Sequence, residues 1–126
     1  MGPQRTLAAR VLLTALCCLL AFTASVSAQV VKASPSDILG DPDRFDGQTI
    51  VITGTVTNLQ ERVSRRGNPY YTLDLRDGKQ AIRVFSFGAA PCRAGAATVE
   101  GTFAKLKKQG KYTFYNEVEA TRVTCR

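Results

Sequence analysis

The sequence of 126 residues contains no histidine. Histidine has an ordinary pKa near neutrality, so its absence removes the usual general base and the commonest metal ligand. Four cysteines are present, but no two of them form a CxxC pair, and isolated thiolates do not complete a tetrahedral zinc site. We therefore expect neither a metal nor another cofactor.

Sequence motifs of enzymes are also missing. The chain has no glycine-rich phosphate-binding loop, no nucleophile elbow and no zinc-ligand spacing. Two pairs of carboxylates occur, Asp74 with Asp77 and Glu117 with Glu119, but Asp77 has a plainer role in an Asp-Gly turn. Paired carboxylates without a cleft or a metal motif are weak evidence of catalysis. We predict that the protein is not an enzyme.

The N-terminus lacks the length of apolar chain that a membrane-spanning helix requires, which is about 20 residues. Its apolar stretch, Val11–Phe22, has 12 residues and follows a segment that carries Arg5 and Arg10 without any acidic residue. Small residues come next, and Val26-Ser27-Ala28 fits a signal-peptidase site. The pattern predicts a signal peptide over residues 1–28, a periplasmic or secreted protein, and no membrane span after cleavage.

An uncleaved anchor helix is the alternative, but it would require a longer apolar run. Cys17 and Cys18 lie within the apolar stretch, and we interpret them as part of the signal peptide rather than as a lipid-attachment site. Removal of the signal peptide leaves 98 residues, which is enough for one domain. These residues include 15 basic and 10 acidic side chains, a net charge of +5. Such a balance favours polyanions, but it is also common in exported proteins that bind nothing acidic.

Two cysteines remain after the signal peptide, Cys92 and Cys125. Disulfides form and persist in oxidising compartments, and an even number of cysteines in an exported protein predicts a bridge. We therefore expect one disulfide.

Residues 29–47 are predicted as a leader with short helical turns. Residues 29–35 have the composition of a loose segment. Ser34 or Ser36 suits the N-cap of a first helical turn, with Pro35 near its start. Gly40-Asp41-Pro42 ends this turn, and a second one ends at Gly47.

From residue 49 the apolar residues alternate with a period of two, which is typical of half-buried strands. Polar or small-residue connections separate the alternating segments: Asn58–Pro69, the Asp77-Gly78 turn, Gly88–Ala96, and the basic turn Lys107–Lys111. Gly54 and Gly101 interrupt two strands where a coiled barrel strand often bends. The five predicted strands are Thr49–Val56, Tyr70–Arg76, Ala81–Phe87, Ala97–Leu106 and Tyr112–Thr124. The side chains predicted to face inward are Ile50, Ile52, Val56, Tyr71, Leu73, Leu75, Ile82, Val84, Val99 and Phe103.

This layout resembles the oligonucleotide/oligosaccharide-binding (OB) fold, in particular its tRNA-anticodon-binding and single-strand-binding branch. The resemblance extends over Gln48–Thr124 and implies an all-β, five-stranded Greek-key barrel spanning residues 48–126, preceded by a short helix. The helix that usually joins the third and fourth strands is reduced here to a Gly/Ala-rich loop. The segments that carry the resemblance are VITGTV (51–56), NPYYTLDLRDG (68–78), AIRVFSF (81–87), VEGTF (99–103) and YNEVEATRV (115–123).

The resemblance also makes a prediction about the two cysteines. In an OB barrel the third and fifth strands pair in parallel, so that their C-terminal ends lie together. Cys92 follows the end of the third strand by five residues, and Cys125 ends the fifth. The resemblance thus implies a Cys92–Cys125 bridge.

OB folds bind ligands on the outer face of the second and third strands and on the loops between strands one and two and strands four and five. In this sequence that plan places exposed aromatic residues between two basic loops, as single-stranded nucleic acid requires for base stacking and phosphate contact. We therefore predict single-stranded nucleic acid as the ligand. The predicted contacts are Tyr70, Thr72, Arg76, Arg83, Phe85 and Phe87 on the strands, Arg62, Arg65 and Arg66 in the first loop, and Lys105, Lys107, Lys108 and Lys111 in the last.

Other interpretations of the same residues stay open. Outward aromatic residues also serve as cross-strand pairs, or lie beneath a terminal segment such as residues 29–45. Lysines in an exposed turn also serve solubility. An envelope glycan, a small ligand or a protein partner is an alternative occupant of the same surface.

Overall fold

The computed structural model describes residues 29–126, so the predicted signal peptide lies outside the described residues. Within that range no helix is sufficiently long and apolar to cross a membrane. The described chain forms β1 (Val31–Ala33), α1 (Pro35–Gly40), α2 (Pro42–Phe45), β2 (Thr49–Val63), β3 (Pro69–Asp77), β4 (Gln80–Phe87), β5 (Gly95–Gln109) and β6 (Tyr112–Cys125).

Strands β2 to β6, which correspond to the five predicted strands, close into a barrel. β3 pairs antiparallel with both β2 and β4, and β5 pairs antiparallel with both β2 and β6. β4 and β6 pair in parallel, with Arg83 opposite Glu117 and Phe85 opposite Glu119. The prediction of an all-β, five-stranded OB barrel is confirmed.

The core of the barrel consists of the alternating apolar residues. All ten side chains predicted to face inward are buried, and Val118 of β6 joins them. Burial of one such aliphatic or aromatic side chain contributes about 1.5–3 kcal/mol, so this row supplies the main favourable term of folding.

Gly54 and Gly101 lie where neighbouring strands approach too closely for a side chain. A Cβ on Gly54 would lie 2.7 Å from the carbonyl oxygen of Arg76, and a Cβ on Gly101 would lie 2.2 Å from that of Glu119. The register of β5 against β6 also shifts between Glu100 and Gly101, which forms a bulge. Both glycines therefore permit the close packing of the barrel strands.

The prediction of a loose leader over residues 29–35 is wrong. Val31–Ala33 forms β1, which pairs in parallel with β2 so that Val31 lies opposite Ile50 and Ala33 opposite Ile52. A strand of three residues is too short to show alternation, and its partner lies far along the chain. Local sequence therefore carried little signal for it.

Helix α1 begins with a capping box. The hydroxyl of Ser34 accepts a hydrogen bond from the backbone N–H of Asp37 (3.1 Å), and the backbone N–H of Ser34 donates to the Asp37 carboxylate (3.0 Å). This second hydrogen bond lowers the pKa of Asp37. Ile38 of α1 and Phe45 of α2 are buried in the barrel core. Helices thus pack on the barrel core from the N-terminal segment, whereas the connection between β4 and β5 contains no helix.

Two predicted connections are largely strand. β2 continues to Val63, with an irregularity between Thr57 and Gln60, so the first half of the connection predicted at Asn58–Pro69 is strand, and Gln60–Val63 pair with β3. β5 continues to Gln109, which lies opposite Tyr112, so Lys107 and Lys108 belong to a strand. Residues 58–63 and 107–109 are mostly polar and mostly exposed, so they lack the apolar alternation of a half-buried strand.

The loop between β4 and β5 is tied to the end of β6. Cys92 and Cys125 form the predicted disulfide, with 5.8 Å between their Cα atoms. Cys92 is buried within the core, and Ala90 packs against it. The pairing that the OB resemblance implied is therefore confirmed.

Candidate functional site

A groove of ≈ 370 Å³ lies on the outer face of β3 and β4, between the two extended hairpins. The turn of the β2–β3 hairpin contributes Ser64 and Arg65, and the β5–β6 hairpin contributes Gln109 and Tyr112. The groove exists because both hairpins continue beyond the closed part of the barrel. Its lining residues are Ser64, Arg65, Tyr70, Thr72, Arg83, Phe85, Phe87, Gln109, Tyr112, Phe114 and Glu117.

A smaller hollow of ≈ 240 Å³ adjoins the groove and shares Tyr70, Thr72 and Arg83 with it. Polar side chains dominate this hollow. The Asn58 side-chain amide donates to the carboxylate of Asp74 (3.2 Å) across the β2–β3 pair. The other lining residues are Gln60, Arg62 and Leu73.

Three aromatic side chains form one wall of the groove. The ring centroids of Tyr70 and Phe85 are 5.5 Å apart, and those of Phe85 and Phe87 are 5.0 Å apart in an edge-to-face arrangement. Phe87 is 67% exposed, whereas Tyr70 and Phe85 are half-buried. Cross-strand pairing explains their proximity, since Tyr70 lies opposite Phe87 and Thr72 opposite Phe85. The three rings also stabilise the sheet by contact with one another.

The opposite wall holds Tyr112 and Phe114 of β6, two aromatic residues that are not among the predicted contacts. Their centroids are 6.5 Å apart, and the guanidinium carbon of Arg83 lies 5.5 Å from the Phe114 ring centroid. Their spacing of two residues beside a predicted turn is a signal that could have placed them on one face of the fifth strand.

The groove floor is an ion network around Glu117. This carboxylate is 3% exposed and lies 3.4 Å from Arg83 Nε and 3.4 Å from Lys107 Nζ. Lys107 Nζ also lies 3.5 Å from Glu119 and 4.8 Å from the Phe85 ring centroid. Two of the predicted binding cations, Arg83 and Lys107, are therefore largely neutralised by carboxylates. The burial of Glu117 left no signal in the sequence.

Four further predicted cations lie in or near the turns of the two hairpins. Arg65 lines it, Arg66 is exposed in the same turn, and Lys111 lies in the β5–β6 turn with Nζ 5.6 Å from the Tyr112 ring centroid. Within residues 29–126 these three cations form no ion pair with a carboxylate. Lys108 is exposed on β5, outside the groove lining.

Three further predicted contacts are not part of the groove. The guanidinium of Arg62 contacts the side chain of Gln60 and faces the smaller hollow. Arg76 is exposed beyond both hollows, near the turn into β4. Lys105 donates a hydrogen bond of 2.6 Å to Asp43, which raises the pKa of Lys105. Lys105 thus contacts the N-terminal segment rather than the groove.

Residues 29–45 do not line the groove or the adjoining hollow. In the part of the chain that the structure describes, no group of three or more His, Cys, Asp or Glu side chains is arranged to hold a metal ion. The groove is thus an open surface with aromatic walls, a charge-paired floor and cations in the turns of both hairpins.

The barrel is similar to part of a solved structure from Leishmania major Friedlin that is named as an aspartyl-tRNA synthetase. The TM-score is 0.56 and the sequence identity 14%, over 82% of this chain and 22% of that chain. This chain therefore corresponds to about a fifth of that protein, and at this identity the likeness shows the shared fold. No protein family and no curated protein matches the sequence.

Proposed function

We propose that this protein is an exported binding module that holds single-stranded nucleic acid in the groove, and that it acts by binding rather than by catalysis. The observation that carries the proposal is the aromatic wall of Tyr70, Phe85 and Phe87 between cation-bearing turns. Aromatic side chains stack on bases, and cations along a groove follow the phosphates.

The distribution of charge favours an orientation with bases inward and phosphates outward. The floor offers a phosphate no net positive charge, because Arg83 and Lys107 are paired with Glu117 and Glu119, whereas Arg65, Arg66 and Lys111 lie in the hairpin turns, unpaired within the described part of the chain. Aromatic rings on both walls offer π-faces to bases that are not paired. Duplexes keep their base faces stacked internally, so the groove favours single strands.

The fold and the compartment supply further support. OB barrels bind oligonucleotides or oligosaccharides on this face, and the structural neighbour carries the name of an enzyme of tRNA. The Cys92–Cys125 disulfide suits an oxidising compartment, in keeping with the predicted signal peptide. Single strands outside the cytoplasm are thus the ligand class that we propose.

A neutral envelope glycan is the second candidate. The observation that favours it is the neutralised floor, where Glu117 is paired with both Arg83 and Lys107. Sugar rings pack on aromatic faces, and paired charged groups hydrogen-bond hydroxyls. Such binding would depend little on salt, whereas binding to phosphates weakens steeply as salt rises.

The test is fluorescence-polarisation binding of residues 29–126 to labelled single-stranded DNA and RNA at about 50 and about 200 mM salt. We expect binding at low salt that weakens at high salt. Replacement of Arg65 and Arg66 by alanine should lower the slope of log affinity against log salt by about 1.4, since each phosphate contact with a single strand contributes about 0.7.

The matched control replaces Arg122 and Arg126, two exposed arginines away from the groove, and changes the net charge equally. A slope that falls as much in the control as in the Arg65/Arg66 variant would refute binding at the groove. An absence of binding at low salt would refute the nucleic-acid proposal altogether. Salt-independent binding of a neutral glycan would support the second candidate instead.

A further inference from the structure

Lys107 covers one face of the central aromatic residue of the groove. Its ammonium lies 4.8 Å from the ring centroid of Phe85, and Glu117 and Glu119 hold it there at 3.4 and 3.5 Å. A base cannot stack on a ring face that an ammonium occupies. Tyr70 and Phe87 contact the same ring, at centroid distances of 5.5 and 5.0 Å. Phe85 is therefore enclosed by three neighbours.

Two other aromatic residues of the groove remain open to a ligand. Phe87 at the end of β4 is 67% exposed, and Tyr112 at the start of β6 is 59% exposed. They belong to opposite walls of the same groove of ≈ 370 Å³. The Lys111 ammonium lies 5.6 Å from the Tyr112 ring centroid, but within residues 29–126 no carboxylate holds it there, so it can move aside for a base, unlike Lys107 over Phe85.

We propose that unpaired bases stack on Phe87 and Tyr112, and that Phe85 supports Phe87 without being a stacking position itself. This inference rests on the proposed function and specifies which residues hold the bases. A strand bound in this way crosses the groove from the end of β4 to the β5–β6 hairpin. Its backbone then passes close to Lys111, whose ammonium lies beside Tyr112.

Alanine substitution followed by oligonucleotide binding tests this assignment. Phe87→Ala and Tyr112→Ala should each weaken affinity roughly 5- to 100-fold, the usual range for loss of one base-stacking side chain. Phe85→Leu should weaken affinity less than either of these changes, because it keeps an apolar side chain beside Phe87 and removes no exposed ring. The control is Tyr115→Ala, at a tyrosine on the same strand that is 69% exposed but does not line the groove. Its affinity should equal that of the unmodified protein.

A fluorescence experiment reports stacking directly. The sequence contains no tryptophan, so Tyr112→Trp introduces a single indole on the proposed stacking surface. Stacking of a base on the indole quenches its emission. We expect an unlabelled single-stranded oligonucleotide to quench Tyr112→Trp and to leave Tyr115→Trp unchanged. Melting curves of each variant check that the barrel stays folded.

The outcomes separate this inference from the proposed function. If the unmodified protein binds no oligonucleotide, the proposed function fails and the inference fails with it. If the protein binds but Phe85→Leu weakens affinity as much as Phe87→Ala, or Tyr112→Trp is not quenched, only the assignment of stacking residues is overturned. Losses at Phe87 and Tyr112, with quenching confined to Tyr112→Trp, would support it.

Discussion

Loss of the Cys92–Cys125 disulfide should lower the free energy of unfolding by about 4 kcal/mol. The bridge joins residues that are 33 apart, and the chain-entropy relation for a loop of this length gives about 3.7 kcal/mol at 25 °C. For a domain of this size each kcal/mol shifts the melting temperature by roughly 4–8 °C. We therefore expect reduction to lower the melting temperature by roughly 15–30 °C.

The assay is thermal unfolding of residues 29–126, followed by circular dichroism with and without a reductant. Reduction retains both sulfur atoms, so it isolates the cross-link from the packing of Cys92 in the core. A variant with Cys92→Ala and Cys125→Ser should melt at or below the temperature of the reduced protein, because it also loses that packing. If the reduced and oxidised proteins melt within a few degrees of each other, the reasoning from loop entropy is refuted.

Three further predictions concern the barrel and helix α1. Gly101→Ala should destabilise the protein by more than about 3 kcal/mol in urea unfolding, because the added Cβ would overlap a backbone carbonyl of β6. The control is Gly40→Ala, which has open space around the added Cβ and should not destabilise the protein. Glu117→Ala should lower the free energy of unfolding by about 2 kcal/mol, less than the loss of a fully buried pair, because its cationic partners Arg83 and Lys107 reach solvent. Glu100→Ala is the control, and equal effects of the two changes would contradict the ion network. The lowered pKa of Asp37 means that its contribution to stability is present above its ordinary pKa and is lost as the pH falls through the lowered value. Asp37→Asn should therefore make acid unfolding less steep, and an unchanged pH profile would contradict the capping box.

Apolar alternation accounts for how much of the barrel could be predicted from the sequence. Every residue predicted to face inward is buried, because the closed barrel has one apolar face and its period of two leaves a clear pattern. The parallel pairing of β4 and β6 came from the OB resemblance rather than from that pattern, and so did the link between Cys92 and Cys125.

The extensions of the barrel could not be predicted in this way. Residues 58–63 of β2 and 107–109 of β5 are mostly polar and mostly exposed, so their composition has the pattern of a loop. The three-residue strand β1 depends on pairing with a distant part of the chain. Pairing between strands, rather than local propensity, decided these segments.

The site was predicted in part for the same reason. Tyr70, Phe85 and Phe87 line the groove as predicted. They could be predicted because outward positions on adjacent strands follow from the alternation of the sequence. The pairing of Lys107 with Glu117 required the β5–β6 hairpin to continue as a strand, which its sequence of lysines does not indicate. Charge counted along the sequence therefore overstated the cations that are free to meet a phosphate.

Amide chemical-shift mapping is the sharpest test of whether the groove between the two hairpins holds single-stranded nucleic acid. A single-stranded oligonucleotide would be titrated into isotopically labelled protein at low salt. We predict that the largest shifts fall in residues 64–66, in β4 near Phe87 and in the β5–β6 hairpin around Tyr112, while β1 and the loop near Cys92 stay unchanged. Shifts spread evenly over the basic surface, or none at saturating oligonucleotide, would contradict binding in the groove.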